Sequence, residues 1–178
     1  MTGSEKSTLQ QILFPSGSPT EDISRSQLLE QYKIFVQTSE ALVSRRQTVN
    51  AFFLSLNTLL LGVIGFLLKE GVSNIYGGLG VIVMGVTGIS MAILWRRLIR
   101  SYNQLNRGKF DVIHILEQHL PAMMFKAEWI VLGEGADKTR YLPSTRTEMT
   151  IPWVFGSLYF AGSVGAFAAT LEVYISSF

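Results

Sequence analysis

Three long stretches of this chain carry almost no charge, and they limit its possible folds more than any other feature. Residues 49–68 and 75–95 contain no Asp, Glu, Lys or Arg, and residues 151–176 contain only Glu172. A helix of about 20 residues rises about 30 Å, which is the thickness of the hydrocarbon core of a bilayer. Each stretch is therefore predicted to be a membrane-spanning helix. Pro152 is expected in the first turn of the third helix, where its missing N–H is not needed.

The segments outside these stretches are predicted to form a helical layer beside the membrane. Apolar residues recur at helical spacing in residues 24–44, which predicts an amphipathic helix leading into the first span. The same spacing in residues 96–120 predicts that the second helix continues into water. Residues 121–150 are predicted to be a loop with one short helix, and residues 1–22, rich in Ser, Gly and Pro, a flexible tail. The predicted fold class is an all-α membrane protein, with residues 23–178 as one three-span domain.

The distribution of basic residues predicts the orientation in the membrane. Five Lys or Arg precede the first span, nine lie between the second and third spans, and only Lys69 lies between the first and second. The positive-inside rule places the side with fourteen of the fifteen basic residues in the cytoplasm. The N-terminus and residues 96–150 are thus expected in the cytoplasm, and the C-terminus outside it. Trp95, which ends the second span, is expected at the membrane interface.

The side chains that carry most enzyme chemistry are scarce in this sequence. The absence of cysteine excludes disulfides, thiolate metal sites and cysteine nucleophiles. His114 and Glu117 share a helical face and His119 follows, but such a pair is more often an ordinary surface feature than a metal site. The net charge of +2 gives no indication of a nucleic-acid partner. We therefore expect neither an enzyme nor a cofactor or metal site.

Polar residues on the first span form a stripe. Asn50 and Asn57 are seven residues apart, and Arg46 lies one turn before Asn50, so all three share a face. An amide in hydrocarbon needs a hydrogen-bond partner, so this face is expected to meet protein or water rather than lipid. The stripe could line a pore or make contact with ions. The alternative, which is the more common use of such residues, is hydrogen bonding between helices that fixes their packing.

Small residues recur on the second and third spans. Small side chains let helix backbones approach closely in lipid, where no hydrophobic force drives helices together. Two such faces exceed what one hairpin contact needs, and this favours tight packing within and between subunits. The residues predicted to pack subunits together are Gly78, Gly85, Gly88, Gly162, Gly165 and Ala169.

Several short runs between about residue 28 and residue 160 form a recognisable pattern. They are Leu29-Glu-Gln-Tyr32, Ser44-Arg-Arg-Gln47, Asn50-Ala-Phe-Phe-Leu-Ser-Leu-Asn-Thr58, Trp95, Ser101-Tyr-Asn-Gln-Leu-Asn106, Lys109-Phe-Asp-Val-Ile-His114, Glu117, Leu120-Pro121, Glu128-Trp129, Tyr141, Thr145, Glu148 and Ile151-Pro-Trp-Val-Phe155. This pattern resembles the RipA-type octameric membrane protein family of bacteria. The resemblance implies a homo-octamer in the inner membrane, in contact with lipid and with itself, and it leaves a cytoplasmic partner open.

The matched charges lie near the predicted membrane boundaries. We hypothesise that acidic residues pair with basic residues at the cytoplasmic rim and so fix how the helices leave the membrane. Arg46 is one basic candidate; the others are Arg45, Arg97 and Arg100, and the acidic candidates are Glu128 and Glu148.

The sequence leaves three functions open. The leading hypothesis is a homo-oligomeric inner-membrane assembly, octameric by the resemblance, that acts as a scaffold or channel. The first alternative is a pore-forming effector gated from its cytoplasmic helices. The second is an accessory subunit of a larger membrane complex.

Overall fold

Helices make up every secondary-structure element in the part of the chain that the structure describes. The structure, a computed structural model, describes residues 3–15, 17, 22–69, 75–136, 139–141 and 144–176. The predicted turn between the first two spans lies almost entirely outside the described residues, as does part of the predicted tail. The elements are α1 (Gly3–Leu13), α2 (Asp22–Lys69), α3 (Ile75–Glu117), α4 (Met124–Val131), a 3-10 turn (Gly133–Gly135) and α5 (Ser144–Ser176).

Three of these helices are long and apolar enough to cross a membrane. They are α2, α3 and α5, whose most apolar 18-residue windows have mean hydropathies of 2.2, 2.0 and 1.5. The predictions of an all-α fold and of three spans are therefore confirmed.

The amphipathic segment and the first span form one continuous helix, α2. Likewise α3 runs from the second span through Gly108 without interruption and ends at Glu117, shortly before the predicted end at residue 120. One glycine costs a helix about 1 kcal/mol, which a helix of this length can absorb. The helical spacing of apolar residues therefore predicted the extent of α2 and α3 better than the uncharged stretches did, because those stretches cover only the spans.

The chain divides into two compact units, where the sequence suggested a single domain. Unit 1 consists of Met1–Arg45 and Tyr102–Pro143, and unit 2 of Arg46–Ser101 and Ser144–Phe178. Both α2 and α3 contribute residues to each unit, so the units are discontinuous in sequence.

Unit 1 has its own apolar core, built from α2 and α3. Four buried side chains form it, and partly buried aromatic residues, including Phe14, pack against it. Lys109 of α3 donates to the hydroxyl of Thr38 of α2 at 2.7 Å and lies 4.6 Å from the ring centre of Phe35. The four core residues are Leu28, Tyr32, Ile113 and Leu116.

Helix α1 corrects the prediction of an irregular tail at its residues. The sequence reading treated Ser and Thr as loop formers, but here the hydroxyls of Ser7 and Thr8 donate to the carbonyl of Ser4 within the helix. The chain then places Phe14 against His119, with ring centres 4.1 Å apart. This contact with the unit 1 core gives the helix a packing partner that its short sequence does not reveal.

Helix α5 begins at Ser144, seven residues before the predicted start of the third span. Hydrophobicity marked where the helix becomes apolar, not where it begins. Pro152 consequently lies inside the helix, and its prediction for the first turn was wrong. Because proline has no N–H, the backbone carbonyl of Glu148 loses its usual partner one turn later.

Unit 2 has two buried clusters among its three long helices. One contains Ile64, Val81, Tyr159 and Ala166. The other contains Phe53, Trp95 and Ile99, with Met149 and Phe155 packed against it. These clusters position the polar side chains described next.

Candidate functional site: polar contacts that join the membrane helices

A polar cluster joins all three long helices of unit 2. Asn50 of α2 accepts a hydrogen bond from the indole Nε1 of Trp95 of α3 at 2.9 Å. Its amide nitrogen donates to Oε2 of Glu148 of α5 at 3.2 Å. Arg46 of α2, one turn before Asn50, places Nη2 3.5 Å from Oε1 of the same carboxylate. We call these four residues the three-helix cluster.

The three-helix cluster lies largely out of solvent. The side chains of Arg46 and Glu148 are 12% and 21% exposed, and Trp95 is 1% exposed. In this partly buried setting the ion pair adds little net stability, because the cost of removing two charges from water offsets much of their attraction. Its main effect is to fix the position of α2 relative to α5. Removal of one member would leave the others without their partners, which costs more than the pair itself contributes.

Trp95 packs inside unit 2. Its ring is buried and stacks on Phe53 with centres 5.8 Å apart, and its predicted depth at the membrane interface stays a prediction. Tryptophan suits both roles, because it has a large apolar ring and one N–H donor. Asn50 supplies the acceptor that allows the ring to be buried at the helix contact.

A second polar contact lies two turns further along α2. Asn57 is 0% exposed and Tyr159 of α5 is 1% exposed. The hydroxyl of Tyr159 lies 2.9 Å from the side-chain oxygen of Asn57 and 3.0 Å from its backbone oxygen. The amide nitrogen of Asn57 donates to the carbonyl of Phe53 at 2.7 Å. The Asn57–Tyr159 contact thus satisfies a buried amide and a buried hydroxyl together.

The predicted polar stripe is therefore engaged within one chain. Arg46, Asn50 and Asn57 all make contacts to α5, and Asn50 also contacts α3. The structure brings together Arg46 and Glu148, a pair that the rim hypothesis named.

Gly85 and Gly88 allow α3 to approach α5 closely. A Cβ on Gly88 would lie 2.6 Å from ring atoms of Tyr159, and one on Gly85 would collide with the Ser163 side chain. Both glycines therefore contact a neighbouring helix of the same chain, which is the packing within a subunit that the sequence predicted, and packing between subunits through them stays a prediction. The Tyr159 ring fills the gap at Gly88, and spacing alone does not show which helix fills a gap.

The other small residues are placed differently. Gly78 is buried, and a Cβ on Gly162 would lie 4.0 Å from a methyl group of Ile64. Gly165 is exposed, with open space where a Cβ would be, and Ala169 is half-buried. Subunit packing through Gly165 and Ala169 stays a prediction.

The remaining rim charges lie on the surface. Arg45, Arg97, Arg100 and Glu128 are exposed, and none of the four enters an ion pair found among the described residues. Arg96, which was not singled out, lies with its guanidinium carbon 4.9 Å from the ring centre of Trp153.

Glu117 of unit 1 holds the start of α4. It is 0% exposed, and its two carboxylate oxygens accept the backbone N–H groups of Phe125 and Lys126 at 2.9 and 3.1 Å. These N–H groups belong to the first turn of α4, where a helix has no internal acceptors and favours negative charge. Tyr32 of α2 donates to the same carboxylate at 3.1 Å. Burial, together with this carboxylate, raises the pKa of Tyr32 to about 12.

The sequence pointed to Glu117 as the partner of His114 and as one residue of the family resemblance, and neither indicated that it caps a helix. Within the described part of the chain, no group of three His, Cys, Asp or Glu side chains is placed to hold a metal ion. The sequence gives only a weak indication of this capping role, because it shows no more than an acidic residue shortly before a proline and a short apolar helix. Tyr159 had no signal beyond being the only hydroxyl-bearing aromatic residue in the middle of the third span.

Comparison with known proteins bears on the whole arrangement. The sequence pattern of the octameric membrane protein family (8xMP) matches residues 29–168. The chain belongs to the octameric membrane protein family. Searches of curated proteins and of solved structures gave no match. The family match includes every residue of the three-helix cluster and both residues of the Asn57–Tyr159 contact, whereas α1 lies outside it. In this member of the family, the polar contacts described here hold helices of one protomer together.

Proposed function

We propose that this chain is the protomer of a homo-octameric scaffold in the bacterial inner membrane. Membership of the octameric membrane protein family supports self-association. The observation that carries the scaffold role is the use of the polar stripe inside the protomer. Asn57, the most central of its residues, is fully buried against Tyr159. It is therefore not available to line a water path between subunits.

The outward surface of the spans supports the same proposal. Large apolar side chains such as Phe52, Leu59 and Phe66 are 60–66% exposed on α2. The hydroxyls of Thr58 and Thr87 donate hydrogen bonds to backbone carbonyls one turn earlier in their own helices. A channel between such surfaces would have mainly apolar walls, which favour dewetting over conduction.

The orientation is part of the proposal. Fourteen of the fifteen basic residues fall on the side of the membrane that holds the N-terminus and residues 96–150. The positive-inside rule supports a cytoplasmic location for that side and a periplasmic or extracellular C-terminus. Unit 1 would then be the part of each protomer open to cytoplasmic partners.

One observation favours a gated pore as a second candidate. Helices α2 and α3 each belong to both units. A partner bound to unit 1 would therefore act on helices that also pack within the membrane. This candidate requires that a water path open between protomers.

Reconstitution into liposomes separates the two candidates. The octamer would be incorporated into vesicles loaded with potassium and with a self-quenching dye, and release of both would be followed. The scaffold predicts release no faster than from empty vesicles. Selective potassium release that scales with the amount of octamer, with the dye retained, would support the gated pore and contradict the scaffold.

A further inference from the structure

We propose that a groove on unit 2 binds an anionic phospholipid. The groove lies between α3 and α5, with a volume of about 580 Å³. One end carries Arg96, Arg97 and Arg100, and the rest is walled by apolar side chains that include Ile93, Trp153 and Phe160. This distribution matches a lipid, which has an anionic phosphate at one end and acyl chains along the rest.

The groove exists because its floor is made of small residues. Ala92 is buried on α3, and a Cβ on Gly156 of α5 would lie 3.9 Å from the Ala92 methyl group. The two helices therefore come close at this level, and neither residue has a side chain long enough to fill the space above it. Ile93 and Trp153, 52% and 59% exposed, stand as walls on the two sides.

The three arginines lie where a lipid headgroup would be. They directly follow the 21 uncharged residues of the second span, at the level where the hydrocarbon core gives way to the headgroup region. Basic pockets between membrane helices at this level are typical sites for anionic headgroups. The guanidinium group also matches the geometry of phosphate oxygens, since it presents paired N–H donors in one plane.

Arg96 is held in place without a charge partner. Its guanidinium lies over the Trp153 ring, and its Nε is buried with no hydrogen-bond acceptor in the part of the chain that the structure describes. None of the three arginines pairs with a carboxylate among the described residues. A phosphate at this end of the groove would therefore not have to displace an existing carboxylate partner.

A second copy of the chain fits this groove less well than a lipid. A packed helix could cover the apolar walls, but the three spans together carry only Glu172 as an acidic residue, near the end of α5 remote from Trp153. A second copy would therefore need one segment for the apolar walls and another, such as the exposed Glu128, for the arginines. A phospholipid carries the apolar chains and the anionic group in one molecule, which favours it as the occupant.

Native mass spectrometry of lipid binding tests the proposal. Delipidated protein would be titrated with phosphatidylglycerol or with phosphatidylcholine of the same acyl chains, and bound lipid counted per chain. We expect one tight phosphatidylglycerol per chain, bound about 100-fold more tightly than phosphatidylcholine, since each of the three interfacial charges contributes about fivefold. In the double variant Arg97→Gln/Arg100→Gln, the preference should fall about 25-fold, to about the fivefold that Arg96 alone supplies.

Two further variants make the result specific. Gly156→Leu should fill the groove and lower the binding of both lipids. Arg25→Gln/Arg107→Gln removes the same charge from two exposed arginines of unit 1, and should leave binding unchanged. Equal loss in this control, or equal affinity for the two lipids in the unaltered chain, would overturn the proposal.

Two other occupants are distinguished in the same way. Displacement of phosphatidylglycerol by millimolar inorganic phosphate would mean that the arginines bind phosphate without acyl chains, and would overturn the proposal. So would efficient disulfide formation between copies of a Ser157→Cys variant, since the chain has no other cysteine and such a bond would place a second copy in the groove. Because lipid is counted per chain, these outcomes do not depend on the number of subunits.

Discussion

At the scale of the residue, Asn50 accepts from Trp95 and donates to Glu148 at once, so it joins three helices through one side chain. Asp at this position could accept but not donate, and Leu could do neither. In lipid, where water cannot replace a lost partner, such a residue selects one arrangement of helices. The sequence identified Asn50, Asn57 and Arg46 as a polar stripe whose side chains require hydrogen-bond partners. It did not identify those partners, because a partner on another helix depends on tertiary packing.

The Arg46–Glu148 pair should couple energetically. Arg46→Ala and Glu148→Ala should each lower the free energy of unfolding by about 1–3 kcal/mol, since each leaves a partly buried charge without its partner. The charge swap Arg46→Glu/Glu148→Arg should recover part of the loss. Thermal unfolding of the unaltered protein, the two alanine variants and the double variant Arg46→Ala/Glu148→Ala, combined in a double-mutant cycle, gives the coupling energy. Strictly additive losses would contradict a direct interaction.

The Tyr159 hydroxyl should stabilise the protein through its hydrogen bond to Asn57 rather than through its size. Tyr159→Phe keeps the ring against Gly88 but leaves the side-chain oxygen of Asn57 without that donor, which should cost about 1–2 kcal/mol. Tyr76→Phe removes a hydroxyl from a residue that is 84% exposed, and serves as the matched control. Steric-trap or denaturant unfolding would measure both. A Tyr159→Phe protein as stable as the control would show that the hydrogen bond contributes nothing.

At the scale of the element, the sequence predicted the helices well and their neighbours poorly. Period and hydropathy located α2, α3 and α5, because both are local properties of the chain. The start of α5 at Ser144 and the helix α1 were missed, since polar residues can belong to a helix that other parts of the chain support. The helices that Gly85 and Gly88 contact could not be read from spacing, which is the same for any neighbour.

The packing of α3 against α5 should depend on the size of the side chain at position 88 and not at position 80. Gly88→Ala should destabilise unit 2 by about 1–3 kcal/mol, because its Cβ would overlap the Tyr159 ring. Gly80→Ala, on the same helix, meets open space and should be neutral or slightly stabilising. Unfolding midpoints of the two variants test this. Equal effects would indicate that α3 and α5 are not in close contact at Gly88.

Glu117 should control the start of α4. Glu117→Gln keeps one acceptor but loses the charge, whereas Glu117→Ala loses both, at a cost of about 0.5–2 kcal/mol as for other helix caps. Hydrogen exchange at the amides of Phe125 and Lys126 should accelerate in the order Ala above Gln above unaltered protein. Glu128→Gln, which changes an exposed acid on α4, is the control. Unchanged exchange in Glu117→Ala would contradict the capping role.

At the scale of the whole molecule, the family match indicates self-association, which the structure of a single chain does not show. The three spans and the basic asymmetry were clear from the sequence, and they led to a membrane assembly. The polar stripe allowed either a pore or a packing contact, with packing the more common use, because both need polar residues on one helical face. The burial of Asn57 and the contacts of Asn50 support the packing alternative, and with it the scaffold.

The mass of the native complex shows whether this protein assembles as a homo-octamer. The protein would be extracted in mild detergent, transferred to lipid nanodiscs and measured by native mass spectrometry or mass photometry. The account predicts one dominant species that contains eight copies of the 19.8 kDa chain, with no stoichiometric second protein. A monomer, a dimer, or a complex with an unrelated chain would contradict the octameric scaffold and leave an accessory subunit as the better description.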